Sequence, residues 1–168
     1  MTALPINQGL RLLAPSEPAI RPATLADVPA LERLIAPFVA TGDLLPRSNY
    51  DLCRHIKEYI VVPDGRGELL ACGSLKIYSR TLAEIAAIAV RPDQQGRGLG
   101  KAVVEALVAE ARRLGLTEVL GLTRKPAFFA RLGFSSADKS HFPLKVWADC
   151  TRCPRRDCCD ETAVILQI

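Results

Sequence analysis

No apolar run in this chain approaches the roughly 20 residues that a membrane span requires, so no membrane partner is expected. The opening stretch MTALPINQGLRLLAPSEP lacks a basic region followed by a long apolar core, so it offers no secretory signal, and a cytoplasmic location is expected. In such a reducing compartment the six cysteines are expected as free thiols or metal ligands rather than as disulfides. Internal repeats and low-complexity tracts are also absent, which argues against solenoid and disordered classes. Charge of one sign is scarcely in excess. A net +4 suits an anionic small ligand and does not demand nucleic acid. Two familiar phosphate loops are missing as well. There is no G-x-x-x-x-G-K-[ST], and Gly96, Gly98 and Gly100 are spaced by two, which excludes G-x-G-x-x-G.

What is present suits one α/β domain over residues 1–168, with 1–18 as a loose arm and 141–160 as a cysteine-rich C-terminal loop; 49% of the chain is hydrophobic, enough for a proper core. Ala19–Ala23 reads as a first strand. Thr24 to Asp27 reads as a capping box opening a helix whose apolar residues recur at Val28, Leu31, Leu34, Ile35 and Phe38, with Pro37 expected to kink or end it. A second helix is expected over Tyr50–Glu58, capped by Ser48 or Asn49. Strands at Ile60–Val62, Glu68–Tyr78 and Thr81–Val90 form a meander, with a Pro63–Gly67 turn inside it. A crossover helix from Gly98 to Leu114 ends on Gly115 and leads to a parallel strand at Thr117–Thr123. A short helix from Pro126 to Leu132, and a last strand at Ala163–Leu166, complete the reading.

The chain is organised around Glu84–Gly100, EIAAIAVRPDQQGRGLG. A buried apolar strand ends at Arg91-Pro92, a glycine-rich turn follows, and a helix begins. Glycines allow close backbone approach, and the unpaired N–H groups of a helix start point at an anion with the dipole behind them. Glu84, at the head of the central strand, offers a carboxylate that can relieve an amine of its proton, which a nucleophilic amine requires. Arg47 and Lys76 are candidate partners for substrate carboxylates, an Arg fork matching a carboxylate bidentately; Ser48 could add a hydroxyl and Lys145 is a third candidate cation. Cys150, Cys153, Cys158 and Cys159 stand as C-x2-C-x4-C-C. The first pair has a metal-knuckle spacing that would suit zinc or iron. A second separated pair is missing, and a reduced, redox-labile loop remains the other reading.

The Q-x-x-G-x-G loop at Gln95–Gly100, the order of elements and FFARLGF at Phe128–Phe134 resemble the GNAT acetyltransferase superfamily over Ile20–Phe134. Ile20–Ser48, Gly67–Lys76, Ala83–Val90 and Leu122–Phe134 are more narrowly similar to the acetyltransferase domain of N-acetylglutamate synthase. The run Pro143–Pro154 with Cys159–Ala163 resembles a subset of its short, stand-alone forms. The resemblance implies a mixed sheet whose two parallel strands splay apart and hold acetyl-CoA. The expected coenzyme contacts are Ile88, Ala89 and Val90 at the strand end and Gln95, Gly96, Arg97, Gly98, Leu99, Gly100 and Lys101 in the loop. It also implies Glu84 as base, Arg47 over the acceptor, and L-glutamate as the amine in arginine synthesis. Many members place a tyrosine acid after the second parallel strand. Here that region offers Phe128 and Phe129, which leaves Thr123 or solvent to protonate the thiolate. Acceptors of another kind, a non-catalytic acetyl-CoA sensor, and a homodimer all stay open at this point.

Overall fold

The apolar run Leu82–Val90 forms a central strand because it is covered on both faces, by one helix on each side. The computed structural model describes residues 19–143, 150–153 and 155–168; the N-terminal arm and Lys145 lie outside them. Seven strands form one sheet: β1 (Arg21–Pro22), β2 (Tyr59–Pro63), β3 (Leu69–Ile77), β4 (Leu82–Val90), β5 (Glu118–Thr123), β6 (Ser135–Ala137) and β7 (Thr162–Gln167). Their order is β1-β2-β3-β4-β5-β7-β6, and only β4 and β5 run parallel.

Helix α3 (Leu99–Arg113) buries Val103, Val104, Leu107, Val108 and Ala111 against Ala71, Leu75, Ala83 and Ile85 of the sheet. Its end is closed by Gly115 at positive φ, with Leu116 N–H donating to the Ala111 carbonyl and Gly115 N–H to that of Arg112, which satisfies the last carbonyls. On the opposite face, α1 (Val28–Ala40) buries Leu31, Leu34 and Ile35 against Val61, Cys72 and Ala89. Burial pushes the Cys72 thiol up to about 12 and the Tyr59 hydroxyl likewise up to about 12. Asp27 closes the first turn by accepting from Thr24 N–H at 2.8 Å, and it is held bidentately by Arg21.

Helix α1 ends at Ala40, where its apolar period runs out, with Pro37 inside it rather than at its end; the turn beyond closes where Thr41 N–H donates to the Pro37 carbonyl. Two boundaries differ from expectation. The second helix stops early, α2 spanning Asn49–Arg54, because Tyr59 is drawn into β2 opposite Ser74 and is 4% exposed. The short helix α4 (Pro126–Ala130) is likewise trimmed by the turn that closes on Gly133.

Candidate active site

Two irregularities in β4 build the site. The first is a bulge. Cys72 pairs with Ala89 and Ser74 with Ala86, so Gly73 alone faces Ala87 and Ile88. Ala87 takes φ of 51°, which a non-glycine residue adopts only under constraint. An inserted residue reverses the alternation of a strand. Accordingly Ile85 and Ile88 both pack toward the α3 side, and Ala89 joins the α1 side. The second irregularity is a parting. β4 and β5 are paired at Leu82–Glu118, Ala83–Val119 and Glu84–Leu120 and no further, so beyond Glu84 the two strands diverge.

A cavity of about 820 Å³ opens in that divergence. Its lining takes in Glu84–Ile88 and Val90 from β4, Leu122 and Thr123 from β5, and Phe128, Phe129 and Leu132 from the region of α4. Gln94–Gly96 and Gly98–Lys101 form one end. There Gly96 and Gly98 both take positive φ, and Gly98 is the N-cap of α3, so the turn leaves the first N–H groups of a fifteen-residue helix facing outward. Gln95 Nε2 donates to the Val90 carbonyl at 3.1 Å and pins the loop to the strand end. Ala89 is buried opposite Cys72 and is not in the lining, and Arg97 is exposed outside it.

Glu84 is 3% exposed and sits where the strands part. The Tyr78 hydroxyl donates to its Oε2 at 2.7 Å, which fixes the carboxylate. Lys76 stands directly across from Glu84 on β3, on the same face, with its ammonium 5.8 Å from the centroid of the Tyr78 ring; it is not in the cavity lining. Thr123 lines the cavity, and its hydroxyl accepts from Lys125 N–H at 2.9 Å, leaving its own proton to donate.

The lining also takes in Gly42–Leu45 and Arg47 after α1 and Cys150, Cys153, Arg155 and Cys159–Glu161. Arg47 lines the cavity, its charge is felt by Asp51 and Tyr59, and among the described residues no carboxylate forms a salt bridge with it. Ser48, the next residue, is taken by the fold: its hydroxyl accepts from Asp51 N–H at 3.1 Å as the N-cap of α2. Cys158 is exposed and outside the lining. Among the described residues no group of three or more His, Cys, Asp or Glu side chains is arranged to hold a metal ion. The Lys139 ammonium instead donates to Cys159 Sγ at 3.1 Å, a contact that disfavours a cation there. Missing from the sequence reading is Arg124, whose guanidinium pairs with Asp43 and Asp160 inside the lining. Its partners lie 81 and 36 residues away, so no local pattern announces it.

The Acetyltransferase (GNAT) family model matches residues 29–134. An uncharacterized N-acetyltransferase of Chlorobaculum tepidum is 35% identical over 89% of this chain and 96% of its own. An amino-acid acetyltransferase of Mycobacterium tuberculosis is 34% identical over 80% of this chain and 78% of its own. Among solved structures, the fold is similar to N-acetylglutamate synthase from Neisseria gonorrhoeae complexed with coenzyme A and N-acetyl-glutamate, with a TM-score of 0.78 at 28% identity. That match covers 89% of this chain and 34% of the longer Neisseria chain.

Proposed function

The chain belongs to the GNAT acetyltransferase family and is an acetyl-CoA-dependent amino-acid N-acetyltransferase, and from that premise we propose that its acceptor is the α-amino group of L-glutamate. The observation that carries the reading is one cavity whose lining brings together the glycine-rich start of α3, the buried Glu84 carboxylate where the strands part, and Arg47.

The reaction runs as a direct transfer in a ternary complex. Glutamate enters with its amino group as ammonium, and Glu84 takes the proton, directly or through water. Tyr78 holds the receiving carboxylate in one orientation. The freed nitrogen attacks the acetyl carbonyl carbon. The backbone N–H of Ile88, which lines the cavity, takes up the charge that develops on the carbonyl oxygen. The carbon–sulfur bond then breaks, the acylated nitrogen gives up its second proton to solvent to leave the amide, and the coenzyme thiolate takes a proton from solvent, directly or through the Thr123 hydroxyl, which regains one from solvent. Arg47 holds one of the two carboxylates of glutamate; Lys76, outside the lining, and Lys145, outside the described residues, are not assigned to the other. Such a product opens arginine synthesis.

The test is release of free thiol from acetyl-CoA against a panel of L-glutamate, L-aspartate, L-glutamine, a polyamine and a protein N-terminal peptide. Glutamate is expected to lead. A panel in which glutamate releases no more thiol than buffer sinks the reading.

A further inference from the structure

Arg124 follows the last residue of β5 and lines the cavity together with the Gly42–Leu45 and Arg47 loop after α1. Its Nη1 meets Asp43 Oδ1 at 2.9 Å in the loop after α1, and its Nε meets Asp160 Oδ1 at 2.8 Å in the C-terminal segment. Both carboxylates are held at their second oxygens. Thr41 Oγ1 donates to Asp43 Oδ2 at 2.7 Å, and Arg155 Nη2 lies 3.5 Å from Asp160 Oδ2. The Thr41 hydroxyl and then Arg124 hold Asp43 below the usual carboxylate range, and Arg124 does the same for Asp160. A second tie runs parallel to the first. Gly42 turns at φ +75°, and a Cβ there would lie 3.1 Å from Arg155 Nη1, so the Arg155 guanidinium reaches the glycine. Gly42, Asp43, Arg124, Arg155 and Asp160 all line the cavity.

We propose that the bridge from Arg124 to Asp43 and Asp160 is a strap across the acceptor end of the cavity, admitting a free amino acid and excluding an amine that continues into a peptide chain. The inference rests on the acceptor reading above. An amino group that reaches Glu84 must lie deep in the parting of β4 and β5. A free amino acid ends within a few bonds of that nitrogen. A peptide continues outward through its carbonyl and would have to pass where the strap lies. Passage requires lifting a guanidinium that is 25% exposed off two carboxylates at once. Arg124 is also spoken for as a cation, since it faces two carboxylates, so it holds the wall together and leaves the substrate's carboxylate to Arg47. Rejection by an obstacle, beside attraction to the right ligand, is a general route to specificity.

The experiment measures kcat/KM for L-glutamate and for the dipeptide glutamyl-glycine with the full chain. The natural chain is expected to use the dipeptide at no more than about a hundredth of the glutamate value. Arg124→Ala should raise the ratio of dipeptide to glutamate at least tenfold. Asp160→Asn, which keeps shape and loses charge, should do the same and covers the case in which Arg124→Ala does not fold. Arg124→Lys retains a cation and should return the ratio toward the natural value, which a merely structural role would not produce. An unchanged ratio in both strap variants overturns the proposal, as does use of the dipeptide by the natural chain within threefold of glutamate. A second readout needs no acceptor: modification of Cys150, Cys153 and Cys159 by Ellman's reagent should quicken in both variants, because the segment that carries them is untied. If the natural chain fails to turn over glutamate, the acceptor reading falls by itself. The strap is then judged on thiol labelling, where an unchanged rate overturns it.

Discussion

Substituting Gly73 with alanine tests whether the bulge in β4 sets the coenzyme side of the cavity. A Cβ at Gly73 would sit 2.7 Å from Ile88 Cδ1, 2.7 Å from Val103 Cγ1 and 3.0 Å from Leu107 Cδ1. Carbon atoms settle at roughly 3.5–4.0 Å, so each neighbour must give way by about 1 Å. Ile88 and Leu107 present the ends of their side chains, which can swing. Val103 is stiff at χ1 and fully buried, so it cannot. Overpacking of this kind costs about 1–3 kcal/mol. At about 2–4 °C per kcal/mol for a domain of this size, Tm should fall by roughly 2–12 °C. The strain also has a direction. Ile88 belongs to the bulge and lines the cavity, so displacing it shifts the strand end proposed to hold the coenzyme. KM for acetyl-CoA should therefore rise more than KM for the amino acid. Gly121→Ala is the matched control, since its added carbon meets nothing closer than Val164 Cγ2 at 3.4 Å. Thermal unfolding by circular dichroism and initial-rate kinetics on both variants decide the matter. If Gly73→Ala melts with Gly121→Ala and binds acetyl-CoA normally, the bulge does not depend on an empty Gly73 and the reasoning fails.

Glu84→Gln keeps the shape of the side chain but cannot accept the ammonium proton, so kcat should drop about 10²–10⁴-fold with both KM values little changed, and part of the loss should return at high pH; near-normal kcat at neutral pH removes Glu84 as base. Gly98→Asp puts a side chain and a negative charge at a left-handed N-cap beside the expected pyrophosphate, so calorimetry should show acetyl-CoA binding abolished, whereas Gly65→Asp, equally left-handed but away from the cavity, should bind normally. The Arg21 guanidinium, with the Thr24 groups, holds the Asp27 carboxyl well below its unfolded value near 3.9, so its contribution is present above about pH 4 and is lost as pH falls below that. Urea midpoints measured from pH 7 down to pH 3 should accordingly decline less steeply for Asp27→Asn than for the natural chain; parallel slopes would discount the pair.

The core of the fold was readable because its signals are local. The apolar run of β4, the closely spaced glycines and the helical period of α3 occupy adjacent stretches, and the Thr24–Asp27 turn and Pro126 at a helix start are equally self-contained. The bulge gave no such sign. Within EIAAIAV every residue from Ile85 onward is apolar, so either face can be buried by either register, and only the missing side chain at Gly73 across the ladder fixes the choice. Ser48 was compatible both with a substrate-facing hydroxyl and with a helix cap, and the cap is what is observed. Arg124 and its two carboxylates meet only after the whole sheet has formed. Charged residues at a strand end and in two loops look like ordinary solvated surface until the topology brings them together.

The parting of β4 from β5 has a consequence for the protein without its coenzyme. Among the described residues, the central strand from Ile85 to Val90 has a ladder partner on β3 alone, so one row of its backbone groups faces the groove rather than a described strand. That makes a free edge in the middle of a sheet. The edge is built of alanine, isoleucine and valine, with no charge and no proline, a composition that invites another extended chain to add on. A ligand lying in the groove covers that edge. It also adds RT ln(1 + [L]/Kd) to stability in proportion to its supply. Lowering the supply of coenzyme is therefore expected to raise the fraction of molecules in which this apolar edge is uncovered.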